Sequence, residues 1–133
     1  MKVLIADDSS MIRERITRMI LRNKGVTVSG QTDTVKETIK FIKSEKPDAV
    51  ILDIQFADGT GVDVLQFIRS EPYKPVVIVL TNFPFPEYRK KCMDKGANYF
   101  FDKSTEFEEI LGVFDKLVKC IKGEGFRNEE VND

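Results

Sequence analysis

The stretch Ala49-Val50-Ile51-Leu52-Asp53 decides how this chain is read. Four apolar residues without a polar break are the mark of a strand buried on both faces, and Asp53 ends the run. The chain opens in the same way, with Val3-Leu4-Ile5-Ala6 running into Asp7-Asp8. In an open parallel sheet, ligands bind beyond the carboxyl ends of the strands. Both runs therefore carry acids to one edge. Three carboxylates crowded there repel one another, so the cluster calls for a hard cation.

Around these runs, strand and helix alternate five times. Strands are predicted at residues 2–6, 26–30, 49–53, 76–81 and 98–101. The first helix carries Ile12, Ile16, Met19 and Ile20 on one face and stops at Asn23-Lys24-Gly25. A capping box, Thr34-x-x-Glu37, opens the second, which turns Val35, Ile39 and Ile42 inward before Pro47. The third, near residues 62–69, uses Val64, Leu65 and Ile68. The fourth follows Phe83-Pro84-Phe85-Pro86 and is the least amphipathic. The fifth is expected to open with the capping box Thr105-x-x-Glu108, with Phe107, Ile110, Leu111, Phe114, Leu117, Val118 and Ile121 as a core stripe. Helical crossovers return the chain in one direction, so the sheet should be parallel. The expected fold is a flavodoxin-like three-layer α/β sandwich with five strands in order 2-1-3-4-5 and five helices. One domain is expected over residues 1–122, followed by a polar, disordered tail at 123–133.

Composition narrows the function. At 133 residues, 41% hydrophobic and 32% charged, the chain reads as one globular domain. With 21 basic against 22 acidic side chains, no basic excess exists to drive binding to a phosphate backbone, so no direct nucleic-acid partner is expected. The longest strongly apolar run, residues 76–80, is too short for a bilayer, and the expected location is the cytoplasm. Cys92 and Cys120 read as ordinary helix thiols. The chain has no histidine, which removes histidine triads, histidine-ligated zinc and a phosphohistidine role.

Thr81 ends the fourth strand and Lys103 follows the fifth, so the topology brings both to the edge that holds Asp7, Asp8 and Asp53. Singly, each has a plain alternative: Asp8 a helix cap, Thr81 a strand-end hydroxyl, Lys103 a solvated charge. Together, and with Gly61 eight residues beyond Asp53, the set closely resembles the response-regulator receiver domain of two-component signalling. The resemblance spans residues 1–122.

The resemblance implies that Asp53 takes a phosphoryl group from a histidine kinase, a phosphotransfer protein or a small phosphodonor. It implies Mg²⁺ held by Asp8, Asp53 and the Gln55 backbone carbonyl, with Asp7 holding a metal-bound water. Lys103 and the Thr81 hydroxyl would each take a phosphoryl oxygen. Movement of Thr81 would let Phe100 turn inward, repacking helix four, strand five and helix five for a downstream target protein. The implied state is a monomer or a phosphorylation-dependent homodimer. No turnover enzyme is expected, only a phosphoacceptor that dephosphorylates itself.

Four positions depart from the common pattern: Ala57 where proline is usual, Asn82 for a small residue, Ser104 for the proline after Lys103, and Phe100 for tyrosine. None is a reacting group. Gln55 and Phe83 match positions that border the path of the hydrolytic water in the family. Phe83 offers that water no polar atom and Asn82 adds bulk beside it, so slow autodephosphorylation is expected. Three other functions compete. A flavin or nucleotide carrier on the same fold lacks the Gly-rich phosphate loop after the first strand, where Asp7-Asp8-Ser9-Ser10 sits. A receiver acting unphosphorylated, as a pure interaction module, is opposed by the intact acid set. An aspartate-nucleophile phosphatase of the haloacid dehalogenase type is suggested by Asp58-Gly59-Thr60, but the acid it needs two residues after the nucleophile is Gln55 here.

Overall fold

The computed structural model describes residues 1–122; the tail expected at 123–133 lies outside them. Five strands, β1 (Lys2–Ala6), β2 (Thr27–Thr32), β3 (Ala49–Leu52), β6 (Val76–Thr81) and β7 (Tyr99–Asp102), form one parallel sheet in the order β2-β1-β3-β6-β7. That is the expected order, 2-1-3-4-5, with two small strands counted in between. These are β4 (Gln55–Phe56) and β5 (Gly59–Thr60), an antiparallel hairpin just after Asp53.

The apolar runs are unbroken because each strand feeds two cores. Leu4, Val50, Leu52, Val77 and Val79 face α2 (Val35–Glu45), α3 (Gly61–Ser70) and α4 (Pro86–Asp94). Val3, Ile5, Ala49, Ile51, Ile78 and Leu80 face α1 (Ser10–Ile20) and α5 (Glu109–Lys122). Alternation along a strand sends successive side chains to opposite faces, so both parities must be apolar. Cys92 is buried in α4 and Cys120 is half-buried in α5.

Several readings need correction. First, the plain alternative of Asp8 as a helix cap fails: Ser9 caps α1, accepting from the Ile12 N–H at 3.3 Å. Second, α5 begins at Glu109 rather than Thr105. Residues 103–108 are spent on a turn held by Asp102, whose Oδ1 accepts from both the N–H and the hydroxyl of Ser104, while Glu106 Oε1 accepts from the Asp102 N–H. Third, Ile121 is exposed in the last turn of α5, whereas Phe107, Ile110, Phe114 and Val118 are buried. Strand β2 also runs two residues past Gly30, because the ladder continues to Thr32, whose carbonyl accepts from the Asp7 N–H.

Candidate functional site

Asp7, Asp53 and Lys103 each sit one step beyond the end of a strand, and the neighbouring strand ties each down through the backbone. The Asp7 N–H donates to Thr32 O at 3.0 Å, the Asp53 N–H to Ala6 O at 3.0 Å, and the Lys103 N–H to Thr81 O at 2.8 Å. The hydrogen-bonded ladder thus extends into the site and sets where these side chains start. Gly61 brings the next loop close. Its N–H donates to Ile54 O at 2.6 Å, and a Cβ there would collide with the Asp53 carbonyl oxygen.

The side chains converge. Lys103 Nζ lies 2.7 Å from Asp7 Oδ2 and 3.1 Å from Asp53 Oδ2. Asp7, Asp53 and Lys103 are 2%, 6% and 8% exposed, so the three charges are nearly dry. Such a group is tolerable only because it is paired. Asp53 Oδ1 accepts from the Ile54 N–H at 2.7 Å, and Asp7 Oδ1 from the Ser9 N–H at 2.9 Å. Asp8 is exposed, yet oxygens of Asp7, Asp8 and Asp53 all lie within 4.8 Å of one another. Burial, with Asp7 beside it, pushes the Asp53 carboxyl above its ordinary value against the pull of Lys103. Burial pulls the Lys103 ammonium down, but Asp7 and Asp53 together outweigh it and hold the group above its usual range.

A fit to Mg²⁺ follows from the donors. They are all carboxylate oxygens, one partly open to solvent, and the single ammonium leaves net negative charge for a cation to offset. The arrangement suits a hard divalent ion that keeps part of its water.

Thr81 is fully buried at the end of β6, and its Oγ1 accepts from the Phe83 N–H at 2.9 Å. Its proton stays free to donate. Gln55 is exposed in β4, and Asn82 and Phe83 are exposed in the loop after Thr81. Phe100 is already inward and buried, with the Arg89 guanidinium 5.6 Å above its ring and Arg89 Nη1 donating to its carbonyl at 3.2 Å. The Asp58-Gly59-Thr60 string serves the loop. Asp58 accepts from the Val35 and Lys36 N–H groups at the start of α2, Gly59 sits at φ +155°, and Thr60 caps α3.

A family model for the response regulator receiver domain matches residues 3–115. The chain belongs to that family. Receiver domains of two-component response regulators are signalling domains and generally not enzymes, and Mg²⁺ at an acidic cluster is usual among them. This receiver is 33% identical to response regulator GacA of Pseudomonas aeruginosa over 113 residues, 83% of this chain and 51% of that protein. It is 29% identical to transcriptional regulatory protein PdtaR of Mycobacterium tuberculosis over 117 residues, 88% of this chain and 56% of that protein. The chain spans about half the length of the curated relatives it matches. Among solved structures it resembles a DNA-binding response regulator of the LuxR family from Staphylococcus aureus. The TM-score there is 0.80 at 28% identity, over 88% of this chain and 98% of that one. The response regulator domain of Thermotoga maritima CheB shares the fold, with TM-score 0.78 at 20% identity over 90% of this chain and 94% of that one. Among the described residues, no helix is long and apolar enough to cross a membrane.

Proposed function

We infer that this receiver accepts a phosphoryl group on Asp53 from a histidine kinase, a phosphotransfer protein or a small phosphodonor, and passes the change to a protein target. The observation that carries the reading is the Asp53 carboxylate itself. It is held at a strand end by Lys103 and the Ile54 N–H, beside two further acids that can share a cation.

A carboxylate oxygen of Asp53 forms a bond to phosphorus as the bond from phosphorus to the donor breaks, and that electron pair leaves with the donor's nitrogen or oxygen. Charge in the loose transition state spreads over the equatorial oxygens, so the protein's task is positioning and charge compensation. Asp8, Asp53 and the Gln55 carbonyl would hold Mg²⁺, with Asp7 on a bound water, and the ion would supply charge neutralisation there. Lys103 exchanges part of its contact with Asp53 for a phosphoryl oxygen. The Thr81 hydroxyl donates to another oxygen and can keep accepting from the Phe83 N–H, since a hydroxyl does both. A shift of Thr81 therefore draws on the loop that begins at Asn82. Because Phe100 is already buried beneath Arg89, the response is a repacking of α4 and β7 rather than a swing of the ring from solvent. Asn82 and Phe83, exposed in the loop that follows Thr81, slow the approach of water to phospho-Asp53.

The test is incubation with acetyl phosphate. Incorporation of one phosphoryl group that needs Mg²⁺ and stops with EDTA supports the reading; a chain that stays unmodified by acetyl phosphate and by phosphorylated kinases of the same cell would sink it.

A further inference from the structure

Arg13 lies on α1 and has no part in the chemistry above. Its Nη1 donates to the backbone carbonyl of Asp7 at 2.6 Å, and its Nε donates to Gln31 Oε1 on β2 at 3.1 Å. The Asp7 carbonyl belongs to the peptide that joins Asp7 to Asp8. That unit is planar, so holding its oxygen also sets the direction in which the Asp8 Cα leaves it. Asp7 needs little such help, since its N–H is bonded to Thr32 and its carboxylate to Ser9 and Lys103. Asp8 is the exposed member of the acid cluster, and its aim depends on the peptide that carries it. The guanidinium suits the task, being a planar fork with its donors in fixed directions, here aligned by two separate strand segments.

We propose that Arg13 is a positioning residue for the cation site: by gripping the Asp7–Asp8 peptide, it aims the Asp8 carboxylate at the ion shared with Asp53. The proposal rests on the reading that these acids hold a divalent cation. It makes a prediction opposite in sign to that of simple charge. A guanidinium this close to the acids repels a second cation, so on electrostatic grounds alone its removal would tighten Mg²⁺ binding. On the positioning account its removal weakens binding.

Isothermal titration of Mg²⁺ into the full chain separates the two, with melting in EDTA as the measure of fold integrity. Arg13→Ala should raise the Mg²⁺ Kd about tenfold, the low end of what residues orienting metal ligands contribute. Arg13→Lys, which keeps the charge and loses the fork, should also raise it. Gln31→Ala, which frees one prong, should raise it by less. Asp8→Asn should abolish the binding. An unchanged or lower Kd in Arg13→Ala overturns the proposal. If that variant does not fold, Arg13→Lys and Gln31→Ala decide by the same criterion. Loss of binding in Asp8→Asn with no change in the Arg13 variants refutes only this inference. Equal binding by wild type and Asp8→Asn, or none by wild type, refutes the cation reading and this inference with it.

Discussion

Two loops leave the same edge of the sheet and are built in opposite ways. The loop from β3 to α3 is fastened along its length. Asp53 is held by the Ile54 N–H, β4 and β5 pair, Asp58 reaches across to α2, Thr60 and Asp63 cap α3, and Gly61 presses against the Asp53 backbone. The loop from β6 to α4 has its residues 82–85 exposed, with the Phe83 N–H on Thr81 Oγ1 as a side-chain tie. Its rings neighbour one another and the start of α4, with centroids of Phe83 and Phe85 6.5 Å apart and those of Phe85 and Tyr88 6.1 Å apart. In α4, only Cys92 is buried. The lesson is a division of labour: one loop keeps Asp53 still, and the other is cheap to move. Segments that switch are drawn from the weakly fastened end of a structure.

The comparison breaks if the fastened loop tolerates change. Gly61→Ala places a Cβ against the Asp53 carbonyl, where backbone must move, and should cost about 3 kcal/mol in urea unfolding. A variant as stable as wild type would show that the loop has slack.

Asp58 offers a gentler probe. The Val35 and Lys36 N–H groups hold its carboxyl below the usual aspartate range. A depressed folded-state pKa contributes stability above the unfolded value, lost as pH falls through the folded one. Wild type should therefore melt above Asp58→Ala at pH 7, and the gap should close below about pH 4. A gap that persists at low pH would assign the loss to something other than the charged cap.

The loosely held loop should behave in reverse. Phe83→Glu should change stability by no more than about 0.5 kcal/mol, as exposed sites do. The decay of phospho-Asp53 after donor removal should nonetheless change several-fold. An unchanged decay curve would mean that Phe83 does not border the water path.

The sequence carried the sheet and its order because the apolar runs and their terminal acids are local signals. The placement of Asp7, Asp8, Asp53, Thr81 and Lys103 at one sheet edge was legible for the same reason, each lying at or just beyond the end of a run. What was not legible is set by partners distant in sequence or by nearby residues that compete for the same turn. The β4–β5 hairpin depends on Asp58 meeting α2, and no periodicity marks a two-residue strand. The capping box at Thr105 was a sound local signal that lost to Asp102 and Glu106, which hold the preceding turn. Arg13 reads as one more polar position on an amphipathic helix; only the fold brings it to the Asp7 carbonyl and Gln31.

The central claim is that Asp53, and neither of the two acids within 4.8 Å of it, carries the phosphoryl group. The most direct measurement is intact mass after acetyl phosphate and Mg²⁺, on wild type and Asp53→Asn, with hydroxylamine to cleave an acyl phosphate. The account predicts one phosphoryl mass on wild type, removed by hydroxylamine, and none on Asp53→Asn. Undiminished labelling of Asp53→Asn would contradict it.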